Sequence, residues 1–311
     1  MHTPSDFEAK AQAAVADIEG QLREAKAQFD ATTEKITRRS GRNLFAAIGI
    51  GVLLGGAFLV SLIFFKWLFI LFGAGLIGFT VFELASALRF AGRDVPRVAS
   101  TVVGVATVPV AFFFHVEGLW IAVIGAAVAV TLYRLVEQAI PSRRTSARDL
   151  LLDVGAGAFI QVYVTFLGGF YVALTGQDGG EWWTLAAIII VVAADTGAYA
   201  TGLAIGRHKL APTISPGKTW EGLGGAALVA LLAGVLLGLF MIGEPWWAGA
   251  LLGAVLLLTG TAGDLIESLI KRDLGIKDIS SWLPGHGGFL DRLDSILPSG
   301  AIAYLFFLVA H

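Results

Sequence analysis

The chain contains no cysteine, and only 15% of its 311 residues are charged. The first absence excludes disulfides, thiolate catalysis and cysteine-based zinc sites, so the fold must stand on packing alone. The second excludes a soluble globule, in which about 25% of residues carry charge. With 56% hydrophobic residues and a mean hydropathy of +0.76, the polar surface is too small to face water on every side. No GxxxxGK[ST] run occurs, which removes the Walker type of nucleotide loop. A cleaved secretory leader is not expected either, because residues 1–42 are hydrophilic and the first apolar run begins near Leu44.

What the chain does have is apolar runs, each close to the 20 or so residues that cross a bilayer core. They fall at about 44–65, 67–88, 98–114, 118–135, 150–174, 183–205, 222–242, 246–270 and 295–310. The pattern predicts an all-α polytopic membrane helical bundle with about nine transmembrane helices. A hydrophilic arm covers 1–42, a first group of helices 43–180, and the region carrying the chemistry 181–311. In the arm, Phe7, Ala11, Ala14, Ile18 and Leu22 recur at steps of three and four, and Ser5 with Glu8 fits a capping box. That is the signature of an amphipathic, solvated helix.

Only Lys66 separates the first two runs, so the distribution of basic residues must arbitrate. With the N-terminus in the cytoplasm, alternate loops hold Arg89, Arg93 and Arg97, then Arg134, Arg143, Arg144 and Arg148, then Arg207, Lys209 and Lys218, then Lys271, Arg272, Lys277 and Arg292. Of 22 Lys and Arg residues, Lys66 alone falls on the other side. There the loops are short, and Trp182, Trp183, Trp246 and Trp247 fit an interfacial aromatic belt. The expectation is a multi-pass protein of the cell membrane with its N-terminus and every chemically loaded segment in the cytoplasm.

Those segments are two. Asp264, Glu267, Ser268 and Lys271 share one face at the end of the run 246–270. A carboxylate as deep as Asp264 would be costly facing lipid. Beyond it, Pro284 to Gly288 brackets His286 with glycines, a loop that can bring backbone amides onto phosphate oxygens. Asp291 and Asp294 follow at a three-residue spacing. They can cap the last helix, but capping explains one acid and not the set, whereas carboxylates are the usual protein ligands of magnesium. Asp264 and Asp291 are therefore the first expected metal ligands, with Asp294 the third. The second segment is Asp195, Thr196, Tyr199, Gly202 and Gly206, followed by Arg207 to Lys209 and by Ser215 to Gly222. Glu83 and Asp153 are expected to be structural acids, paired with arginine or backbone groups.

Ser268-x-x-Lys271-Arg272-x4-Lys277-Asp278-x-Ser280, followed by Pro284-Gly285-His286-Gly287-Gly288-x-x-Asp291-Arg292-x-Asp294, resembles the signature of the phosphatidate cytidylyltransferases. Ser215-Pro216-x-Lys218-Thr219-Trp220-Glu221-Gly222 resembles a second stretch of that family, which usually has a lysine where this chain has Gly217. The resemblance covers roughly Asp195 to Ser295. It implies cytidylyl transfer from CTP to phosphatidic acid, with Mg2+ as cofactor and room for a second cation such as K+. It also implies a lipid bilayer as setting, no nucleic-acid partner, and leaves a homodimer open. On this reading Asp264, Asp291, Lys277, Asp294 and Asp195 carry the reaction. Lys218, Lys277, His286, Gly287 and Arg292 hold CTP, and Ser268, Lys271 and Arg272 hold the lipid phosphate. A secondary transporter would also use buried acids and glycine-broken helices, but near mid-bilayer, whereas these groups collect at one rim. Another CTP-using lipid enzyme, such as a polyprenol or phytol kinase, would share the nucleotide side of the site.

Overall fold

The computed structural model describes residues 44–283 and 287–311, with side chains from Gly49 onward. The arm expected over 1–42 and His286 lie outside the described residues. Residues 55–282 and 287–311 form one compact unit.

Runs of apolar residues with few interruptions become helices because lipid offers no partner for an open backbone. After a first helix, α1 (Leu44–Leu59), seven stretches among the described residues are long and apolar enough to cross a membrane. They are α2 (Lys66–Phe90), α3 (Arg97–Glu137), α4 (Ala147–Gly176), α5 (Gly180–Ile205), α6 (Trp220–Ile242), α7 (Trp246–Asp273) and α8 (Leu290–Ala310). A two-stranded antiparallel hairpin, β1 (Lys209–Ala211) and β2 (Ser215–Thr219), joins α5 to α6. The fold class is thus the expected polytopic helical bundle.

Against an expectation of about nine spans, two of the predicted runs have merged into the 41 residues of α3. As one rod α3 would measure about 60 Å, twice the hydrocarbon thickness of about 30 Å. It is not one rod, because His115 has φ 53° and ψ −140°, a conformation most side chains avoid. A Cβ placed on Gly118 would lie 2.8 Å from the Val110 carbonyl oxygen, whereas residues eight apart in a continuous helix are separated by about 12 Å. The chain therefore folds back at His115, and the loop expected from His115 to Gly118 shrinks to a one-residue reversal.

At the tryptophan-rich end, Lys66 is answered by Glu181, with Nζ 3.0 Å from the carboxylate, and by the carbonyl of Gln177 at 3.4 Å. Trp182, Trp246 and Trp247 are exposed there. Trp183 departs from the expected belt. It is buried, edge-on to Phe307 at 6.0 Å, because it projects from the face of α5 that packs on α8 and not on lipid.

At the arginine-rich end, Arg134 of α3 is 1% exposed and lies 3.0 Å from Asp153 of α4. Asp153 also accepts the backbone amide of Asp94 at 2.9 Å, so this acid has the paired, structural role expected of it. α5 packs on α6, α6 on α7, and α8 fits against α4, α5 and α7. The α6–α7 contact is close enough that a Cβ on Gly249 would fall on the Gly234 carbonyl, a small-residue approach suited to helices in lipid.

Arg134 also lies 3.5 Å from Asp94 and 3.8 Å from Glu137, so removing Asp153 takes away the closest of three acids, a loss of up to about 3–5 kcal/mol. Asp153→Ala is expected to lower the melting temperature of the detergent-solubilised protein sharply, and Asp153→Asn, which retains an acceptor, to lower it less.

Candidate active site

A cavity of about 560 Å³ lies among α5, α6, α7 and the start of α8, with the β-hairpin on its border. Its inner wall is apolar, including Val191, Leu256 and Leu257, and its acids and bases sit toward the hairpin. Each element delivers its groups by helical spacing. Asp195 and Gly202 lie on one face of α5, and Gly260 and Asp264 one turn apart on α7. Thr219 caps α6 by accepting the Gly222 amide at 3.1 Å, the arrangement an N-cap threonine favours. The residue before it, Lys218, is thereby aimed across the cavity, and its Nζ reaches Asp264 at 2.5 Å.

Of the residues singled out from the sequence, Asp195, Lys218, Asp264, Asp291, Arg292 and Asp294 all border this one cavity. Asp195 accepts the Ser295 hydroxyl at 2.9 Å, and Asp294 accepts the Ser295 amide at 2.8 Å. One serine thus ties α5 to the turn inside α8. Asp264 lies within Coulombic reach of both Asp195 and Asp294. Ser268, a turn farther along α7, donates to Asp264 at 3.4 Å.

The remaining groups form an edge beside the cavity. Lys271 bridges the buried Glu267 at 2.5 Å and Asp291 at 2.9 Å. The other oxygen of Asp291 accepts the amides of Ile279 at 3.1 Å and Gly288 at 2.8 Å. Gly287 has φ 88°, a backbone angle that glycine takes without strain, and it lets the loop turn onto Asp291. Arg272 donates to the Ile214 carbonyl of the hairpin turn at 3.2 Å. Lys277 is exposed and is not part of the lining. Lys271 and Arg272 are therefore committed to protein partners, and Ser268, Lys271, Arg272 and Lys277 do not line the cavity.

Among the described residues no three Asp, Glu or His side chains already converge as a finished metal cage. The donor set nevertheless fits magnesium. That ion takes one or two carboxylates and completes its shell with water and substrate phosphates, and Asp195, Asp264 and Asp294 offer hard oxygens around one open space.

Sequence reasoning missed three contributors. Ser295 and Thr219 lie in the stretches already marked but carry no distinctive spacing. The buried Tyr163 sits in a π-helical turn, Gln161–Phe166, and feels the charges of Glu267, Asp294 and Asp264; such turns often mark working regions of a helix. Glu83 has the backbone partners expected of it, amides at the start of α8, although no local pattern around it announces which segment supplies them.

Residues 45–310 match the Cytidylyltransferase family. The phosphatidate cytidylyltransferase of Mycobacterium tuberculosis (strain ATCC 25618 / H37Rv) is 38% identical over 276 residues, 86% of this chain and 84% of that protein. That of Mycobacterium leprae is 38% identical over 279 residues, 87% of this chain and 89% of that one. A phosphatidate cytidylyltransferase of Staphylococcus epidermidis is 42% identical over 142 residues, 45% of this chain and 55% of that protein. An acid-lined cavity at one end of a helical bundle, and a match that runs from the first helix to the last, lead to one statement: the chain belongs to the cytidylyltransferase family.

Proposed function

We infer that this protein transfers the cytidylyl group of CTP to phosphatidic acid, releasing pyrophosphate and leaving CDP-diacylglycerol. The observation that carries the reading is the gathering of Asp195, Lys218, Asp264, Arg292 and Asp294 around one cavity in a chain 38% identical to phosphatidate cytidylyltransferases over most of its length. The bias of Lys and Arg toward that end supports a cytoplasmic mouth, where CTP is available.

The chemistry asks little of a general base. A phosphate monoester has its second pKa near 6, so the lipid phosphate is largely dianionic in the cytoplasm and supplies its own nucleophile. One of its oxygens forms a bond to the α-phosphorus of CTP as the bond to the bridging oxygen breaks. That oxygen's electron pair leaves with pyrophosphate, and no proton need move. The barrier lies in bringing two polyanions together and in the charge that grows on the leaving group, and preorganised cations lower both. Lys218, held by Asp264, and Arg292 border the space where those charges meet. Magnesium, the expected cofactor, would be held by Asp264 and Asp294 with Asp195 beside them. When bound it supplies Lewis-acid polarisation of the phosphoryl group and neutralises phosphate charge. Asp291, expected as a ligand, acts in this reading from the edge, fixing Lys271 and the Gly288 amide. Lys271 and Arg272 support the loop and the hairpin, and the lipid phosphate meets Lys218 and Arg292. The apolar inner wall gives the lipid's hydrocarbon a surface that water does not claim.

Purified protein given radiolabelled CTP and phosphatidic acid should yield a CDP-lipid and pyrophosphate; a phosphorylated lipid with CDP would instead make it a kinase. Asp264→Asn should lower kcat by about 10²-fold or more while the protein still inserts and purifies as a folded species. Chelation with EDTA should abolish turnover and added magnesium restore it, and turnover that persists after exhaustive chelation would remove the metal from the reading.

A further inference from the structure

Glu83 lies on α2, far in sequence from every residue so far given a part in the reaction. It is 1% exposed, and a carboxylate so placed in an apolar helix must find donors or carry a severe penalty. It finds three, all across the chain. Ser280 donates its hydroxyl to Oε1, the Phe289 amide reaches Oε1 at 3.1 Å, and the Leu290 amide reaches Oε2 at 2.8 Å. Both oxygens are therefore spent on the segment that carries Asp291 and Asp294.

The surroundings tighten the same joint. Phe79, one turn before Glu83 on α2, stacks on Phe289 with ring centres 4.9 Å apart and planes within 8°. Trp282 packs on Phe79 at 6.1 Å and on Phe82 at 5.7 Å. A Cβ on Gly288 would fall on the Glu83 carboxylate, so glycine is the residue that lets the backbone come this close. On the far side of the same backbone, the Gly288 amide donates to Asp291. Of the consecutive amides of residues 288, 289 and 290, the first thus points to Asp291 and the next two to Glu83.

Resting on the cytidylyl-transfer reading, we propose that Glu83 is a positioning residue for that reaction: it clamps the first amides of α8 to α2 and so sets where Asp291 and Asp294 stand at the cavity. Without the clamp the loop keeps its sequence but loses its register on α2, and the acids lose their alignment with Asp264 and Lys218. The role is indirect. Glu83 is absent from the cavity lining.

The test uses the full chain in detergent or nanodiscs, with activity expressed per folded molecule. Glu83→Gln keeps the size of the side chain but turns one acceptor into a donor facing amides. Its kcat is expected to fall about 10- to 100-fold, as for outer-shell partners generally, with KM for CTP changed less than kcat. Asp153→Asn, another buried acid but one remote from the cavity, should lower the melting temperature and leave kcat per folded molecule unchanged. Because the chain has no cysteine, Ser281→Cys carries a single nitroxide, and Glu83→Gln should sharpen its spectrum as the loop loosens. Normal kcat in Glu83→Gln, or a label that stays as immobile as in the parent, overturns the proposal. If Glu83→Gln does not fold, Gly288→Ala strikes the same contact from the other side; a folded Gly288→Ala with normal kcat overturns it equally. Should the parent protein lack cytidylyl transfer altogether, the label still decides the clamp, so the two failures are distinguishable.

Discussion

An ionised side chain at the end of an apolar helix has lost its water and must be answered by something else, and this requirement organises the whole bundle. Arg134 is answered by Asp153, Lys66 by Glu181, Glu267 and Asp291 by Lys271, and Glu83 by backbone amides. Apart from the Glu267–Lys271 pair within α7, each answer comes from another helix or from the other side of a loop, so satisfying charge and assembling the bundle are largely the same event. Hydrophobic burial cannot do this job in lipid, where the tails are as apolar as the side chains. Polar pairings and close packing of small residues carry the specificity instead.

The cavity is where the answers are incomplete. Asp195, Asp264 and Asp294 place three carboxylates near one another with Lys218 as the cation seen to pair with one of them. Such a concentration of like charge is unfavourable unless a cationic partner or a phosphate-bound metal arrives. The edge differs in kind. There Lys271 and the Gly288 amide both donate to Asp291. In the proposed reaction, acids gathered around an open space beside a hydrogen-bonded rim are the kind of fixed charge that electrostatic catalysis uses.

Much of this was legible in sequence because it follows from local spacing. The apolar runs, the one-sided Lys and Arg, and the acids at steps of three and four place helices and name the residues that meet at the cavity. What was not legible depends on contacts between distant segments. Nothing near Glu83 marks its bonds to residues 280, 289 and 290, which lie about two hundred positions away. Lys271 and Arg272 read as headgroup cations because their partners, Asp291 and the Ile214 carbonyl, are set by tertiary packing. Trp183 reads as an interface residue because its neighbour Trp182 does, and only the docking of α8 turns it inward. Hydropathy sees two runs around His115 and cannot see that the polar gap between them is closed into a single turn.

That turn bears on how the protein is made. Because the Val110 carbonyl comes up against Gly118, the arms of α3 touch from their shared tip, and no soluble segment separates them. With no polar loop at the tip to be carried across separately, insertion of the two arms together as one hairpin is the route the turn favours.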